Sequence, residues 1–206
     1  MKKTPVLCVQ RDAINCGFAV PDGLMHLMYF DFDTIKSDDL HFIGRSIVDG
    51  KSPELLAIGQ AFPQVLPYAV IRCGDEYLSY SRAKGNEDRL HGSLSIGFGG
   101  HIEMADMPND NINLAKGLLR ELEEEVGLDM QMPFQLDDTK SLLIDTTNDV
   151  GSVHLGILYM VEIDDKAMLN PDNGEIHLSE WQTLEQLVAN SSQYENWSQL
   201  VIDAMR

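Results

Sequence analysis

Three glutamates are spaced so that an α-helix would bring their carboxylates together. Glu121, Glu124 and Glu125 stand at positions i, i+3 and i+4 within the stretch 99–128, whereas Glu123 would point away from them. Like charges ~6 Å apart repel by roughly 2 to 3 kcal/mol in a medium of intermediate dielectric constant, unless protons or a cation bridge them. Because oxygen-only ligands favour Mg²⁺ or Mn²⁺ over zinc, the spacing predicts a site for one of these ions.

The same stretch contains the helix that would position these glutamates. An apolar stripe that can face a core is formed by Ala115, Leu118, Leu119, Leu122 and Val126. Asp110 or Asn111 is expected to cap the N-terminus of this helix, and Gly127 suits its C-terminal end. Most acidic helix faces are only solvated, so the neighbouring residues must decide between a plain surface and a site.

Residues 120–128 read RELEEEVGL. This run resembles, at every specified position, the REUxEExGU motif of the Nudix hydrolases, in which U is a bulky aliphatic residue. The pair Gly99-Gly100 is similar to the glycine turn of that family. The resemblance is strongest over 99–128 and extends more loosely over 68–206. It implies metal-dependent hydrolysis of a pyrophosphate bond in a nucleoside diphosphate linked to another group.

The resemblance also implies roles for the motif residues. The metal would be held by Glu121, Glu124 and Glu125 together with the carbonyl oxygen of Gly100. Glu124 would thereby take part in catalysis, and Arg120 would orient the carboxylates rather than attack the substrate. The implied cofactor is Mg²⁺ or Mn²⁺.

In this family the general base often comes from a loop glutamate well after the metal helix. Glu175 is the candidate here, because it follows a turn and lies ahead of Trp181. Glu180 and Asp149 are the alternatives, and each of these acids could equally be a solvated loop carboxylate.

The chain departs from the family pattern ahead of the motif. That pattern has a glycine, five residues, a glutamate, seven residues and then the arginine. Here Asp106 stands in place of the glutamate, and residues 107–119 separate it from Arg120. The six extra positions lie within 107–113, a polar segment that is expected to be a longer loop before the helix.

Charge limits the class of partner. The net charge of −18 argues against binding of long nucleic acid, which depends on clustered lysine and arginine. A small nucleotide or another diphosphate remains a suitable substrate. Arg72, Arg82 and Arg89 could neutralise its phosphates, although a lone arginine is more often a surface charge.

Composition predicts a cytoplasmic protein. The apolar runs are far shorter than a membrane span, and the N-terminus has no apolar core of a signal peptide. Cys8, Cys16 and Cys73 are odd in number and lack the spacing of a metal site, so reduced thiols are expected.

The order of predicted elements is that of an α/β fold, a Nudix-type α/β/α sandwich with a mixed sheet. We expect an N-terminal extension of unknown role over 1–62, a Nudix domain over 63–206, a short helix opened by Ser52, Pro53 and Glu54, and a hairpin near the turn Gly74-Asp75-Glu76. A break is expected at Pro133-Phe134, followed by a strand over 141–145. The apolar run 24–32 indicates core or a homodimer contact.

Two other functions remain open. One is a catalytically silent Nudix domain that senses a nucleotide or mediates contacts. The other is an enzyme similar to isopentenyl-diphosphate isomerase, which shares the fold and an acidic metal site. The second is less favoured because Cys73 has no recognisable active-site motif around it.

Overall fold

The computed structural model describes residues 4–14, 25–82, 93–107, 112–170 and 176–206, with only the backbone described at Met25, Arg82 and 176–179. The strands are β1 Pro5–Val9, β2 Met25–Tyr29, β3 Leu40–Gly44, β4 Gln64–Cys73, β5 Glu76–Arg82, β6 Leu94–Ser95, β7 Gly97–Phe98, β8 Phe134–Asp145, β9 His154–Ile163 and β10 Ile176–Thr183. The helices are α1 Arg45–Val48, α2 Pro53–Ala61, α3 Leu114–Val126, α4 Asp149–Ser152, α5 Leu184–Ala189 and α6 Asn196–Ala204.

The strands form one mixed sheet, hydrogen-bonded in the order β10-β5-β4-β9-β8-β2. Off this path, β1 pairs with β3 and β4, β6 pairs with β5, and β7 pairs with β4. The predicted α/β fold with a mixed sheet is therefore confirmed. Among the described residues, no helix has the length and apolar character needed to cross a membrane.

The chain divides into two compact units, and the first comprises Met1–Pro67, Gly100–Gly117 and Lys140–Ile157. Strand β1 lies antiparallel to β3, and β2 lies antiparallel to the second half of β8. The Leu7 amide also donates a hydrogen bond to the Ile102 carbonyl oxygen at 2.9 Å. The N-terminal strands therefore pair with later segments of the same unit.

A small apolar cluster fills part of the first unit. Val6, Cys8 and Val48 are fully buried, with Ile43 and Phe62 packed against them. Burial raises the pKa of the Cys8 thiol to about 12. Because the thiolate is the reactive form, this cysteine is inert near neutral pH.

Helix α2 begins where the sequence predicts. Ser52 is its N-cap and accepts a hydrogen bond from the Leu55 amide at 3.3 Å, while Pro53 occupies the first helical position. Two other boundaries are corrected. Strand β8 begins at Phe134, where the sequence predicts a break. The first half of this strand alternates exposed and partly covered residues, so it lacks the apolar run that would have indicated a strand.

The second correction concerns the start of α3. Asp110 and Asn111 lie outside the described residues. The helix begins at Leu114, and the Asn113 side chain accepts a hydrogen bond from the Lys116 amide at 3.0 Å. Asn113 therefore provides the N-cap interaction, because only a residue directly before the first turn can reach the free amides.

The second unit comprises Tyr68–Gly99, Leu118–Thr139 and Leu158–Arg206. As predicted, β4 and β5 form a hairpin, which pairs Cys73 with Glu76. Strand β10 lies antiparallel to β5, with a register shift between His177 and Glu180. Strand β7 pairs with β4, where Ala69 lies opposite Phe98.

Close packing at Gly97 fixes the path of β7. A side chain at this glycine would begin 1.7 Å from the Tyr68 ring, which is itself buried. Only glycine can occupy this position without moving an aromatic ring of the core.

We expect Gly97→Ala to lower the free energy of unfolding by about 3 kcal/mol or more, because the added methyl group overpacks the Tyr68 ring. Gly44→Ala is the matched control, since its methyl group would lie 3.7 Å from Ile47 and should change stability by about 1 kcal/mol or less. Urea denaturation of both variants measures the difference. Equal losses of stability would show that the packing at Gly97 is looser than described.

His101 of the first unit is largely shielded from water and hydrogen-bonded to a buried glutamine. The amide nitrogen of buried Gln64 donates to the Val48 carbonyl oxygen at 3.0 Å, so its oxygen accepts from His101 Nε2 at 2.9 Å. The ring keeps some surface exposure, yet burial lowers the pKa of His101 well below its usual value, with Arg45 and His154 adding to the effect. The folded protein therefore holds this imidazole neutral.

This depressed pKa makes stability depend on pH. Below about pH 6.5 the unfolded chain takes up a proton that the folded His101 does not, so stability falls as pH decreases, by at most ~1.4 kcal/mol per pH unit. His101→Gln keeps a hydrogen-bond donor and should show a shallower decline between pH 7 and pH 5. Urea titrations of His101→Gln and of wild type over this pH range measure the two slopes. Identical slopes for His101→Gln and wild type would refute the assignment.

Candidate active site

Helix α3 has a buried apolar face and a separate acidic face. Leu118, Leu122 and Val126 are fully buried, as the predicted apolar stripe requires. The helix ends at Gly127, which has φ +60° and would place a side chain 2.8 Å from the Asn170 carbonyl oxygen. The buried stripe and the glycine end together fix the rotation of the acidic face.

Arg120 engages two of the three predicted metal ligands. Its Nη1 atom lies 2.7 Å from Glu121 Oε1 and 3.4 Å from Glu124 Oε2. The Glu121 side chain is 17% exposed and that of Glu124 is 61% exposed, so the first carboxylate is much the less hydrated of the two. Both carboxylates therefore point toward the guanidinium of Arg120, whose positive charge offsets part of their mutual repulsion.

Glu125 has a different partner. Its Oε2 atom accepts a hydrogen bond from the Gly99 backbone amide at 3.1 Å. Gly99 has φ +142°, a conformation that favours glycine. Glu123 is exposed, as is Glu124 of the predicted cluster. Sequence spacing gave no sign of the Gly99 contact, since the two residues are 26 positions apart.

The donor set on α3 suits a hard divalent cation. All three side chains offer carboxylate oxygens, the ligands that Mg²⁺ and Mn²⁺ prefer. Within the described ranges, no three His, Cys, Asp or Glu side chains lie close enough together to hold a metal ion. Glu121 and Glu124 are engaged by Arg120 instead, and Glu125 by Gly99.

Asp106 has a structural role in the first unit. Its buried carboxylate accepts a hydrogen bond from the Glu103 amide at 2.9 Å and closes a capping box over the 3₁₀ turn Met104–Asp106. A methyl group at Gly117 would lie 3.1 Å from the Asp106 carboxylate and 2.3 Å from Ile102. The shorter acid therefore holds the segment ahead of α3 in a tight turn.

Of the three arginines predicted to bind phosphate, only the side chain of Arg72 lies within the described residues. Arg72 forms an ion pair with Glu162, with Nη2 and Oε2 2.7 Å apart, and this contact raises the pKa of Arg72. The pair lines a cavity of about 480 Å³ in the second unit, together with Gln135, Leu136, Asp137, Met160 and Val161. The charge of Arg72 is thus compensated by a neighbour. The Arg82 side chain and Arg89 lie outside the described residues.

The candidate bases are also placed differently. Glu175 lies outside the described residues. Glu180 is exposed on β10, opposite Ser79 of β5. Asp149 is exposed at the first position of α4, directly after the N-cap Asn148. Glu180 and Asp149 are therefore both open to solvent.

Comparison with known proteins finds a relative by sequence and similar folds among solved structures. No protein-family model matches the chain. Protein YmaB of Bacillus subtilis is 32% identical over 192 residues, which cover 84% of this chain and 93% of that protein. The crystal structure of Tm1382, a candidate Nudix hydrolase, superposes with a TM-score of 0.67 at 23% identity and covers 97% of each chain.

A second solved structure is similar at lower score. The structure of DR0079 from Deinococcus radiodurans matches with a TM-score of 0.51 at 16% identity and covers 88% of this chain and 100% of that one. The likeness to Tm1382 extends over the N-terminal strands as well as over α3. The chain therefore belongs to the family of protein YmaB and has the Nudix fold.

Proposed function

We propose that the chain is a metal-dependent hydrolase that cleaves a pyrophosphate bond in a nucleoside diphosphate derivative or a related diphosphate. The observation that carries this proposal is the acidic face of α3. Arg120 lies against Glu121 and Glu124 there, and the Gly99 amide holds Glu125, all on a Nudix fold. An acidic surface without a function would not require a partly buried arginine contact and a backbone contact for its carboxylates.

Glu121, Glu124 and Glu125 would hold Mg²⁺ or Mn²⁺, and the carbonyl oxygen of Gly100 is proposed as a further ligand from the family resemblance alone. When bound, such an ion supplies a Lewis acid that neutralises phosphate charge and makes water a better nucleophile. The chain's own contribution begins with Arg120. By donating to Glu121 and Glu124, it restricts the rotamers of two carboxylates before any cation arrives.

Proton transfer needs a separate carboxylate. Glu175 is the proposed acceptor of a proton from the attacking water, with Glu180 and Asp149 as alternatives. Removing a proton during attack avoids a strongly acidic intermediate, which is why such a base is worth roughly 10² to 10⁴ in rate. The protein would not form a covalent bond with the substrate, because water can attack phosphorus directly.

The proposed substrate class follows from charge. A chain of net charge −18 repels long polyanions, whereas a short diphosphate needs only local compensation. Arg72 is already paired with Glu162, so substrate phosphates would rely on the cation and on Arg82 and Arg89 rather than on Arg72. We place this activity in the cytoplasm, where reduced cysteines are the rule.

One observation favours a second candidate, a catalytically silent nucleotide sensor. In the described part of the chain the acidic side chains do not close into a group able to hold a metal, and Arg120 neutralises two of them. The isomerase-like alternative is less supported. Of its described thiols, Cys8 is buried with a raised pKa and Cys73 is half-buried.

A substrate panel tests hydrolysis against sensing. Nucleoside triphosphates, ADP-ribose, dinucleoside polyphosphates, nucleotide sugars and coenzyme A are incubated with the protein in Mg²⁺ and in Mn²⁺, and products are identified by mass spectrometry. We expect at least one diphosphate compound to be cleaved between phosphorus atoms, with no cleavage in excess chelator. Tight binding in isothermal titration without turnover of any compound would establish the sensor instead.

We predict that Glu124→Gln and Glu125→Gln each nearly abolish turnover while the protein stays folded, because each removes one metal-directed charge from a surface of the helix. Glu123→Gln is the matched control on the same helix and should be mild, since Glu123 is exposed and lies off the cluster. Steady-state kinetics and circular dichroism measure the two effects. A Glu123→Gln defect as large as the others would show that the assignment of the helix face is wrong.

We also predict that Glu175→Gln lowers kcat by roughly 10² to 10⁴ while metal and substrate affinity change much less. The loss should include the acidic limb of the pH profile, because that limb reports the base that must be deprotonated. Glu180→Gln and Asp149→Asn are measured in parallel over the same pH series. Near-normal turnover in Glu175→Gln, with the acidic limb lost in one of the other two, would transfer the role to that residue.

A further inference from the structure

The strand that leads to the glycine turn is held by a buried tyrosine of the second unit. The Tyr80 hydroxyl donates a hydrogen bond to the Gly97 carbonyl oxygen at 2.8 Å. Its ring stacks on Phe98, with centroids 4.6 Å apart and planes inclined by 27°. Both aromatic side chains are buried. Tyr80 thus contacts two consecutive residues of β7 through two different interactions.

Other contacts fix the same backbone. The Tyr68 ring occupies the space where a side chain of Gly97 would begin. The Gly97 amide donates to Ser95 Oγ at 3.1 Å, and the Ile96 amide donates to the fully buried Ser198 Oγ at 3.0 Å. Residues 96–97 are therefore held from several directions, and their path has little freedom.

Two residues after the restrained Gly97, the backbone contacts Glu125, a proposed metal ligand. Gly99 follows Phe98, and its amide is the group that donates to Glu125 Oε2 at 3.1 Å. Two consecutive peptide units span at most ~7.6 Å, so a shift of Gly97 must be absorbed by Phe98 or passed to Gly99. Phe98 is fully buried against Tyr80 and can absorb little.

We propose that Tyr80 is a positioning residue for Glu125. Its hydroxyl fixes the position of the Gly97 carbonyl group, and its ring fixes Phe98 by stacking. These two contacts restrict the position of the Gly99 amide, which orients the Glu125 carboxylate. This role deepens the proposed function, on which it rests, because it matters to catalysis only if Glu125 holds a metal ion.

The alternative for Tyr80 is a purely structural role, in which the hydroxyl only adds to stability. Removing a buried tyrosine hydroxyl lowers stability in either case. Stability alone therefore does not separate them. A positioning role must also change the Gly99 amide and the affinity for a cation, in a protein that remains folded.

The test compares two conservative variants of the full chain. Tyr80→Phe keeps the stacking ring and removes only the hydroxyl. Tyr194→Phe is the matched control, because it also removes a buried hydroxyl of the second unit, one that contacts Ser79 and Gln182 rather than β7. Hydrogen exchange of the Gly99 amide is measured by NMR in metal-free protein, and Mn²⁺ affinity is measured by electron paramagnetic resonance.

We expect Tyr80→Phe to accelerate exchange of the Gly99 amide and to weaken Mn²⁺ binding, each by about tenfold. Tyr194→Phe should stay within about twofold of wild type in both measurements. The kcat of Tyr80→Phe should recover at high Mn²⁺ concentration, because the ligands themselves are intact. Wild-type exchange and wild-type Mn²⁺ affinity in Tyr80→Phe would overturn the proposal, as would equal changes in the two variants.

Glu125→Gln separates failure of this inference from failure of the proposed function. If Glu125→Gln binds Mn²⁺ as tightly as wild type, Glu125 is not a metal ligand and both proposals fall. If Glu125→Gln loses Mn²⁺ affinity while Tyr80→Phe behaves as wild type, the metal site stands and only the positioning role of Tyr80 is refuted.

Discussion

Crowded negative charge on one face of α3 is the constraint to which its neighbours respond. Glu121 and Glu124 share one guanidinium nitrogen of Arg120, and Glu125 accepts from the Gly99 amide. The positive charge of Arg120 and the dipole of the Gly99 amide thus each offset part of the repulsion between the carboxylates. These contacts also restrict side-chain rotation, and a site whose ligands are already oriented loses less entropy when a cation binds.

The acidic face can be held in place only because the rest of the helix is anchored. The apolar stripe is fully buried at Leu118, Leu122 and Val126, so the helix cannot rotate without exposing apolar surface. Gly127 ends the helix where a side chain would collide with the backbone of Asn170. The position of the charged groups is therefore determined by the packing of the apolar stripe and by the end of the helix at Gly127.

Features that depend on neighbouring residues could be predicted from the sequence. The acidic face of α3, the Ser52 cap of α2 and the hairpin turn at Gly74 each follow from a local pattern, and the structure confirms them. The cap at Asn113 was missed because the extra residues before α3 offer several polar candidates. The first half of β8 was missed because its polar residues, among them exposed Asp137 and half-buried Asp138, hide the strand pattern.

The contacts that position the site could not be predicted from the sequence, because they join residues far apart in the chain. The hydrogen bond from Gly99 to Glu125 and that from Tyr80 to Gly97 join residues from separate elements, and no local spacing reports them. Likewise, nothing in the sequence shows that Asp106 caps a turn or that Glu162 neutralises Arg72. Such pairings arise from the tertiary fold, in which partner choice depends on strand order and register.

The central claim, that the carboxylates of α3 hold a divalent cation, is tested most directly by crystallography. Crystals of the protein would be soaked in Mn²⁺, and an anomalous difference map would be calculated from data collected near the manganese absorption edge. A strong peak within about 2.4 Å of oxygens of Glu121, Glu124 and Glu125 is the predicted result. A map with no peak beside these glutamates, at an Mn²⁺ concentration that supports turnover, would contradict the claim.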